Sequence, residues 1–475
     1  MTIELVADTE TPVSAFAKLR NDLPCFLFES AEKNEESGRF SFIGSNPLLL
    51  FSSCGSTISI TTNERTRKIE TDSDPLIELQ KAMEQFRFVS RPNIPHFTAG
   101  AVGFIGFDFV RFFEPSVRIP SRDDLQLPEA MFMIAQTMIV FDHRFRKLSL
   151  VSNAYIEDVH DEASVTNAYD RGQQDLAALA NRLSQPVRMR SIETGVPADK
   201  AKPRSNTTDE HFQAMVAKAK ERIAAGDIFQ VVLSQRFEID FAGDPIDLYR
   251  SLRFGNPSPY MFCLRFDRDF TVLGSSPELH VRCRDGVVEI RPIAGTRPRG
   301  ADFAEDEQLA KELLSDPKER AEHVMLIDLA RNDIGRVSEF GTVQVTEHMG
   351  IERYSHVMHI VSHVTGRLLK GKDAFGAVRA TFPAGTVSGA PKIRALQIIA
   401  ELEKDRRGFY AGMVGYFGLD GALESCIALR SIVLKNGKAY LQTGAGIVAD
   451  SDPAREYEET INKSRAMLEA IARAM

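Results

Sequence analysis

The chain has 475 residues, 43% hydrophobic and 26% charged, with a formal net charge of -8. That length allows two domains or one large composite core. The negative balance excludes non-specific binding to nucleic acid as a main function. The opening MTIELVADTE has no basic segment followed by an apolar one, so no signal peptide is expected. The most apolar run, AMFMIAQTMIVF (130–141), is too short to span a bilayer, and no membrane association is expected. Five scattered cysteines (25, 54, 263, 283 and 426) contain no C-x-x-C, which predicts reduced thiols in a cytoplasmic protein and no zinc site.

In chain order, residues 1–155 alternate short apolar runs with turn residues, as in RFSFIGSNPLLLF and AGAVGFIGFDFVRFF, and predict a β-rich region. Residues 157–183 are rich in Ala, Asp and Leu and predict a helix. A stretch at 184–206 has prolines, mixed charge and no periodicity. It is expected to be a linker between an N-terminal region, 1–183, and a second domain, 207–475. Thr207 and Glu210 have capping-box spacing. Phe212, Met215, Val216, Ala219 and Ile223 then follow a helical period that Gly226 stops. DIFQVVLSQRFEID predicts a strand. Two hairpins are expected, one turning on Asp285-Gly286 and one on Asn436-Gly437.

RPIAGTRPRG (291–300) gathers three arginines in an acidic chain, a pattern that suits a small anion. Two later segments share a design: Ser-Asp-Pro, then Glu-x-x-Glu. Asp316 and Asp452 suit an N-cap, and Pro317 and Pro453 suit the first helical position. Glu319/Glu322 and Glu456/Glu459 are each spaced to share one helix face. Either they only favour the positive helix end, or they face each other and hold a hard cation such as Mg²⁺. Lys463, one turn past Glu459, either balances that glutamate or holds an anion.

Arg430 is expected on a strand, on one face with Cys426 and Ala428. An inward arginine there pairs with a carboxylate, of the protein or of a ligand. Gly444-Ala445-Gly446 lets backbone approach an anion closely, or simply makes a tight turn from strand to helix. In RYSHVMHIVSHV the spacing of His356, His359 and His363 suggests a metal, but a β-branched run reads as a strand, which splits the three between faces. Histidine remains the best residue for proton transfer near neutral pH.

Taken together, RPIAGTRPRG, LIDLARNDIGRV, IERYSHVMHIVSHVTG, FPAGTVSGAPKIRA, GFYAGMVGYF, ESCIALRS and QTGAGIVADSDP resemble the chorismate-utilising enzymes, on the branch of anthranilate synthase component I. The likeness covers 207–468, and CFLFESAE…GRFSFIG extends it towards the N-terminus. The resemblance implies an α+β, two-domain fold of the anthranilate/aminodeoxychorismate synthase type, with an antiparallel β-sandwich core covered by helices. It implies contacts to chorismate from Gly295, Thr296, Tyr410, Arg430, Gly444, Ala445, Gly446 and Lys463, with Thr386 in the same pocket. It implies Mg²⁺ held by Glu322 and Glu459, with Glu319 and Glu456 in support. Glu278 matches the family's general acid and His359 its base.

Two departures within the family narrow the expected reaction. Aminodeoxychorismate synthases resemble P-I-K-G-T with a nucleophilic lysine where this chain has Ala294. Isochorismate and salicylate synthases carry a water-activating lysine where it has Gln230. Both point to amination of chorismate at C2 by ammonia with loss of pyruvate, giving anthranilate; an aminodeoxychorismate synthase working without the lysine is the alternative, and a catalytically dead tryptophan sensor is a third. No glutaminase signature is present, so a separate glutamine amidotransferase subunit is the implied ammonia source, in a heterotetramer. A feedback pocket for tryptophan is implied by LFES and NPSPYMF, through Glu29, Ser30, Asn256, Pro259, Tyr260 and Met261, with Cys426 as a lining residue. Phe28, where the family usually has Leu, departs from that pattern.

Overall fold

A computed structural model describes residues 1–31, 38–62, 65–89, 97–354 and 357–475. His356 lies outside the described residues. Two antiparallel sheets face each other, and both are built around the long strands Phe40–Cys54 and Ala130–Asp142. Each long strand serves both sheets. Phe26–Phe28 pair with the first half of Phe40–Cys54, and Thr57–Thr61 with its last residues. The change of partner falls at Asn46-Pro47. Asn46 has φ 55° there and the register shifts between Pro47 and Leu49. Proline cannot donate to a ladder, and a bulge is where a strand can bend from one sheet to another.

From Cys25–Glu29 the first sheet runs through Tyr260–Arg265, Phe270–Ser276, Ser431–Lys435 and Lys438–Ile447 to Gln230–Asp240. The second runs from Ala130–Asp142 through Gly100–Ile105, Met413–Gly418, Leu423–Ile427, Leu279–Arg284 and Val287–Ile290 to Val357–Arg367. Ile293–Pro298 continues along one side of Val357–Arg367 and Gln344–Arg353 along the other. Strands from before and after residues 184–206 are therefore interleaved in one sandwich.

Burial follows the pleat. Phe26, Phe104, Phe262, Phe270 and Phe409 fill the space between the sheets. Cys25, Leu27, Met261 and Cys263 face the helices on the outside of the first sheet, and Val281, Cys283 and Val364 those on the outside of the second. Period-two alternation explains this: in CFLFE, odd and even residues meet different layers. Both expected hairpins form. Asp285 and Gly286 have φ 52° and 75°, Asn436 and Gly437 50° and 74°, as a two-residue turn between twisted strands requires.

Three expectations need correction. The helix Asp209–Ala224 is capped by Thr208, whose side chain accepts from the His211 N–H, so Thr207 makes no capping box. Residues 444–446 form no turn: they lie inside the strand Lys438–Ile447, opposite Ser234, Leu233 and Val232. Arg430 lies between the strands Leu423–Ile427 and Ser431–Lys435, not within one, with φ 46°.

Candidate functional site

The site lies where strands pass from one sheet to the other. The chain leaves Phe270–Ser276 in the first sheet, crosses at Pro277-Glu278 and enters Leu279–Arg284 in the second; it returns through Ala428-Leu429-Arg430. The crossings are bonded to each other, Ile427 N–H to the Glu278 carbonyl and Ser275 N–H to that of Arg430, both 3.1 Å. Ladder pairing stops at such a seam, which leaves its residues free of the sheet register.

Glu278 is buried, and burial pushes its carboxyl up to about 8, with the neighbouring Thr386 hydroxyl offsetting part of the rise. At neutral pH it holds a proton. Thr386 sits in the short turn Gly385–Val387, with its hydroxyl beside the Glu278 carboxyl. His359, on Val357–Arg367, lies opposite Thr296 in the ladder. Its Nδ1 is 2.9 Å from the Gly295 carbonyl and 3.1 Å from Thr296 Oγ1. A carbonyl can only accept, so Nδ1 carries the hydrogen and Nε2 keeps its lone pair. Burial lowers the histidine's pKa, with Arg430 acting in the same direction. Gly295 has φ 69°, and a methyl there would lie 3.0 Å from Leu313 and 3.1 Å from a Glu319 oxygen; glycine is required on both counts.

All three arginines of 291–299 are occupied by the protein. Arg291 pairs with Glu352; Arg297 with Glu312, Asp316 and Glu319; Arg299 with Asp306 at 2.8 Å. Carboxylates of the chain meet the clustered arginines, so Arg297 and Arg299 brace their own segment. Arg430 is different. Burial pulls its pKa down, partly offset by the Tyr354 phenol, and among the described residues no carboxylate pairs with it.

The two Ser-Asp-Pro segments start helices as expected. Asp316 caps Pro317–Gly335 and Asp452 caps Pro453–Ala474. The first is pinned to the strand of His359 by a buried 2.7 Å bond between His323 Nε2 and Ser362 Oγ. The second is pinned to the sheet by Gln235 and Thr443, which bond Thr460 at 2.6 and 2.9 Å. Their first turns are thereby brought together. The Glu322 carboxyl is raised by burial first, then by the charges of Glu319, Glu459 and Glu456; Glu456 is raised by burial and by Glu459. Among the described residues no three such side chains converge closely enough to hold a metal ion by themselves. Lys463 Nζ lies 2.6 Å from Glu459 and 3.1 Å from the Gly444 carbonyl. A methyl on Gly444 would stand 2.8 Å from the Tyr410 hydroxyl.

The residues expected around tryptophan cluster elsewhere on the seam. Glu29 pairs with Met261 across two strands, and Ala31 N–H bonds the Ser258 carbonyl at 3.1 Å. The Glu29 carboxylate is buried and already bound, by Tyr249 Oη at 2.5 Å and Arg253 Nε at 2.8 Å. Cys426 is buried between the sheets, its thiol pushed up to about 12. Tyr260 is raised by burial, with Cys426 among its neighbours. Sequence reasoning missed Tyr354, whose ring meets His359 edge-on at 5.4 Å while its hydroxyl donates to Glu352 at 2.8 Å. The only signal was its place five residues before His359.

With this geometry in view, the comparisons are specific. Residues 23–469 match the chorismate binding enzyme family. Anthranilate synthase component 1 of Acetivibrio thermocellus is 45% identical over 479 residues, covering 100% of this chain and 95% of that protein. Its counterpart in Pseudomonas aeruginosa is 45% identical over 475 residues, covering 99% and 95%. The crystal structure of anthranilate synthase component I from Streptococcus pneumoniae superposes with a TM-score of 0.80 at 36% identity, covering 98% of this chain and 99% of that one. The menaquinone-specific isochorismate synthase of Escherichia coli shares the fold, TM-score 0.74 at 21% identity, over 99% and 94%. The chain belongs to the chorismate binding enzyme family and is an enzyme of that family. Among the described residues, no helix is long and apolar enough to cross a membrane.

Proposed function

We propose that the protein is the large subunit of an anthranilate synthase: it aminates chorismate at C2 with ammonia and eliminates pyruvate. The observation that carries this reading is the buried seam itself. It presents a protonated Glu278, a neutral His359 with Nε2 available, and an arginine with no carboxylate of its own. A half-buried guanidinium that no carboxylate of the described residues meets is suited to a ligand carboxylate. Ala294, paired with Ile360, and Gln230 supply neither a covalent nucleophile nor a base for water. The nitrogen therefore comes from outside the chain.

In this reading Glu278 gives its proton to the departing ring hydroxyl, which leaves as water while ammonia bonds to C2. His359 Nε2 then takes the C2 proton. The enolpyruvyl C–O bond breaks, and pyruvate leaves after protonation at its methylene carbon. Gly295 and Thr296 orient the imidazole, Arg430 and Tyr410 hold carboxylate, and Lys463 and the strand 444–446 border the ring. Four grouped carboxylates, among which the charges of Glu319, Glu459 and Glu456 raise the Glu322 carboxyl after burial, fit a hard divalent cation, which commonly uses one or two protein carboxylates with waters and ligand oxygens. Glu322 and Glu459 would hold Mg²⁺, with Glu319 and Glu456 through water. The ion would supply charge neutralisation at the ring carboxylate.

Ammonia would come from a separate glutamine amidotransferase subunit in a cytoplasmic heterotetramer. Tryptophan would bind between Glu29-Ser30 and residues 256–261, and act as feedback inhibitor. In that pocket Glu29 serves as a wall fixed by Tyr249 and Arg253. The test uses the purified chain with chorismate, Mg²⁺ and ammonium at high pH. The expected product is fluorescent ortho-aminobenzoate with one pyruvate; a 4-amino product on chromatography would overturn the assignment in favour of aminodeoxychorismate synthesis.

A further inference from the structure

Arg430 has a left-handed backbone, a conformation that a non-glycine residue holds only when its surroundings impose it. It lies just outside the ladder, since Gly274–Ser431 is the last pair between its strand and the next. Its carbonyl is held by the Ser275 N–H at 3.1 Å. Ser275 is fully buried, and its hydroxyl donates to the carbonyl of Asn256, whose own Nδ2 lies 3.5 Å from that hydroxyl. Asn256 ends the helix Pro245–Gly255 and opens the loop 256–259, which leads into the strand Tyr260–Arg265. The same helix is gripped by Glu29 through Tyr249 and Arg253. One serine thus joins the loop by its side chain to Arg430 by its main chain.

We propose that Ser275 is a positioning residue: it sets the backbone of Arg430 according to the place of Asn256, so displacement of the 256–259 loop weakens the arginine's hold on the substrate. This rests on the reading above, in which Arg430 receives a chorismate carboxylate and tryptophan binds against that loop. Ser275 touches neither ligand. A ligand that binds better when Asn256 has left Ser275 must lower chorismate affinity, and chorismate must lower its affinity by the same factor.

The test uses the full chain with chorismate, Mg²⁺ and ammonium, and measures tryptophan binding separately by calorimetry. Ser275→Ala should raise the KM for chorismate by about 3- to 10-fold and leave kcat within about 2-fold, because the arginine acts on bound substrate and transition state alike. The factor by which saturating tryptophan raises KM should fall at least ~3-fold, and the tryptophan Kd without chorismate should hold or fall, because the bond that tryptophan binding would break is already absent. Ser275→Cys keeps a weak donor and should fall between, and it serves as the test if the alanine variant does not fold. Unchanged KM and coupling, a fall in kcat alone, or loss of tryptophan binding would each overturn the proposal. If the unmutated chain binds no tryptophan, the feedback pocket fails instead, and the KM comparison still decides whether Ser275 positions Arg430.

Discussion

Arginine appears near the candidate site in two settings, a cluster and a single residue. The loop 291–299 has three within nine residues, and every one is met by carboxylates of the chain. Arg430 stands alone in sequence, and no carboxylate of the described residues answers it. Local charge density therefore says little about ligands; the accounting of partners says more. A paired arginine has its desolvation offset within the fold, whereas a half-buried one that no carboxylate of the described residues meets leaves a charge that a substrate can pair.

The contrast can be broken experimentally, beginning with the proton donor that shares Arg430's seam. Glu278→Gln should lower kcat by ~10²–10⁴-fold. Rates divided by the NH₃ concentration should fall above pH 8 in the unmutated enzyme, as the carboxyl raised to about 8 ionises, and that alkaline limb should vanish in the variant. Stability has a definite sign here. The folded state keeps a proton that the unfolded chain releases near the usual carboxylate pKa, so this group's contribution is complete below that pKa and is lost as pH rises towards 8. Urea titrations across that window should show a shallower decline for the glutamine variant. An alkaline limb that survives would assign the titration to another group.

Arg430→Ala should reduce kcat/KM by ~30- to 1,000-fold, the range for removing one partner of a buried charged pair with the ligand. An effect below threefold would leave the two arginine sets equivalent. Glu322→Gln should raise the Mg²⁺ concentration for half-maximal rate by ~10-fold or more; undiminished Mg²⁺ dependence would exclude it as a ligand. Ser30→Ala or Met261→Thr should weaken tryptophan inhibition with the uninhibited rate within ~2-fold; unchanged inhibition would put the pocket elsewhere. The smallest effect belongs to the paired set. Arg299→Gln should leave kcat/KM within ~2-fold and lower only the thermal unfolding midpoint, since Arg299 pairs with Asp306 at the partly exposed edge of the loop.

Much of this was open to reading in the chain. Both Ser-Asp-Pro helix starts and both hairpins depend on contacts between residues close in sequence, and the strand of His359 follows its β-branched run; all form where the residues indicate. The likeness to a family brought Glu278, Arg430 and Glu322 into one list. Local pattern gave no sign of what surrounds them. Gly444–Gly446 has the composition of a turn but forms a strand, because Gln230–Asp240 pairs along it. Thr208 displaces Thr207 as the cap within a single residue of backbone choice.

What the amino-acid order determined by itself was the inventory: which segments cap, turn and alternate, and which residue types are available for acid, base and anion. Only the tertiary structure decided the electrostatics. Whether a carboxyl keeps its proton, or an arginine finds a partner, depends on burial and on charges hundreds of residues distant in the chain. Glu278 and Arg430 acquire their character where strands cross between sheets and ladder bonding stops, Glu278 buried and Arg430 half-buried.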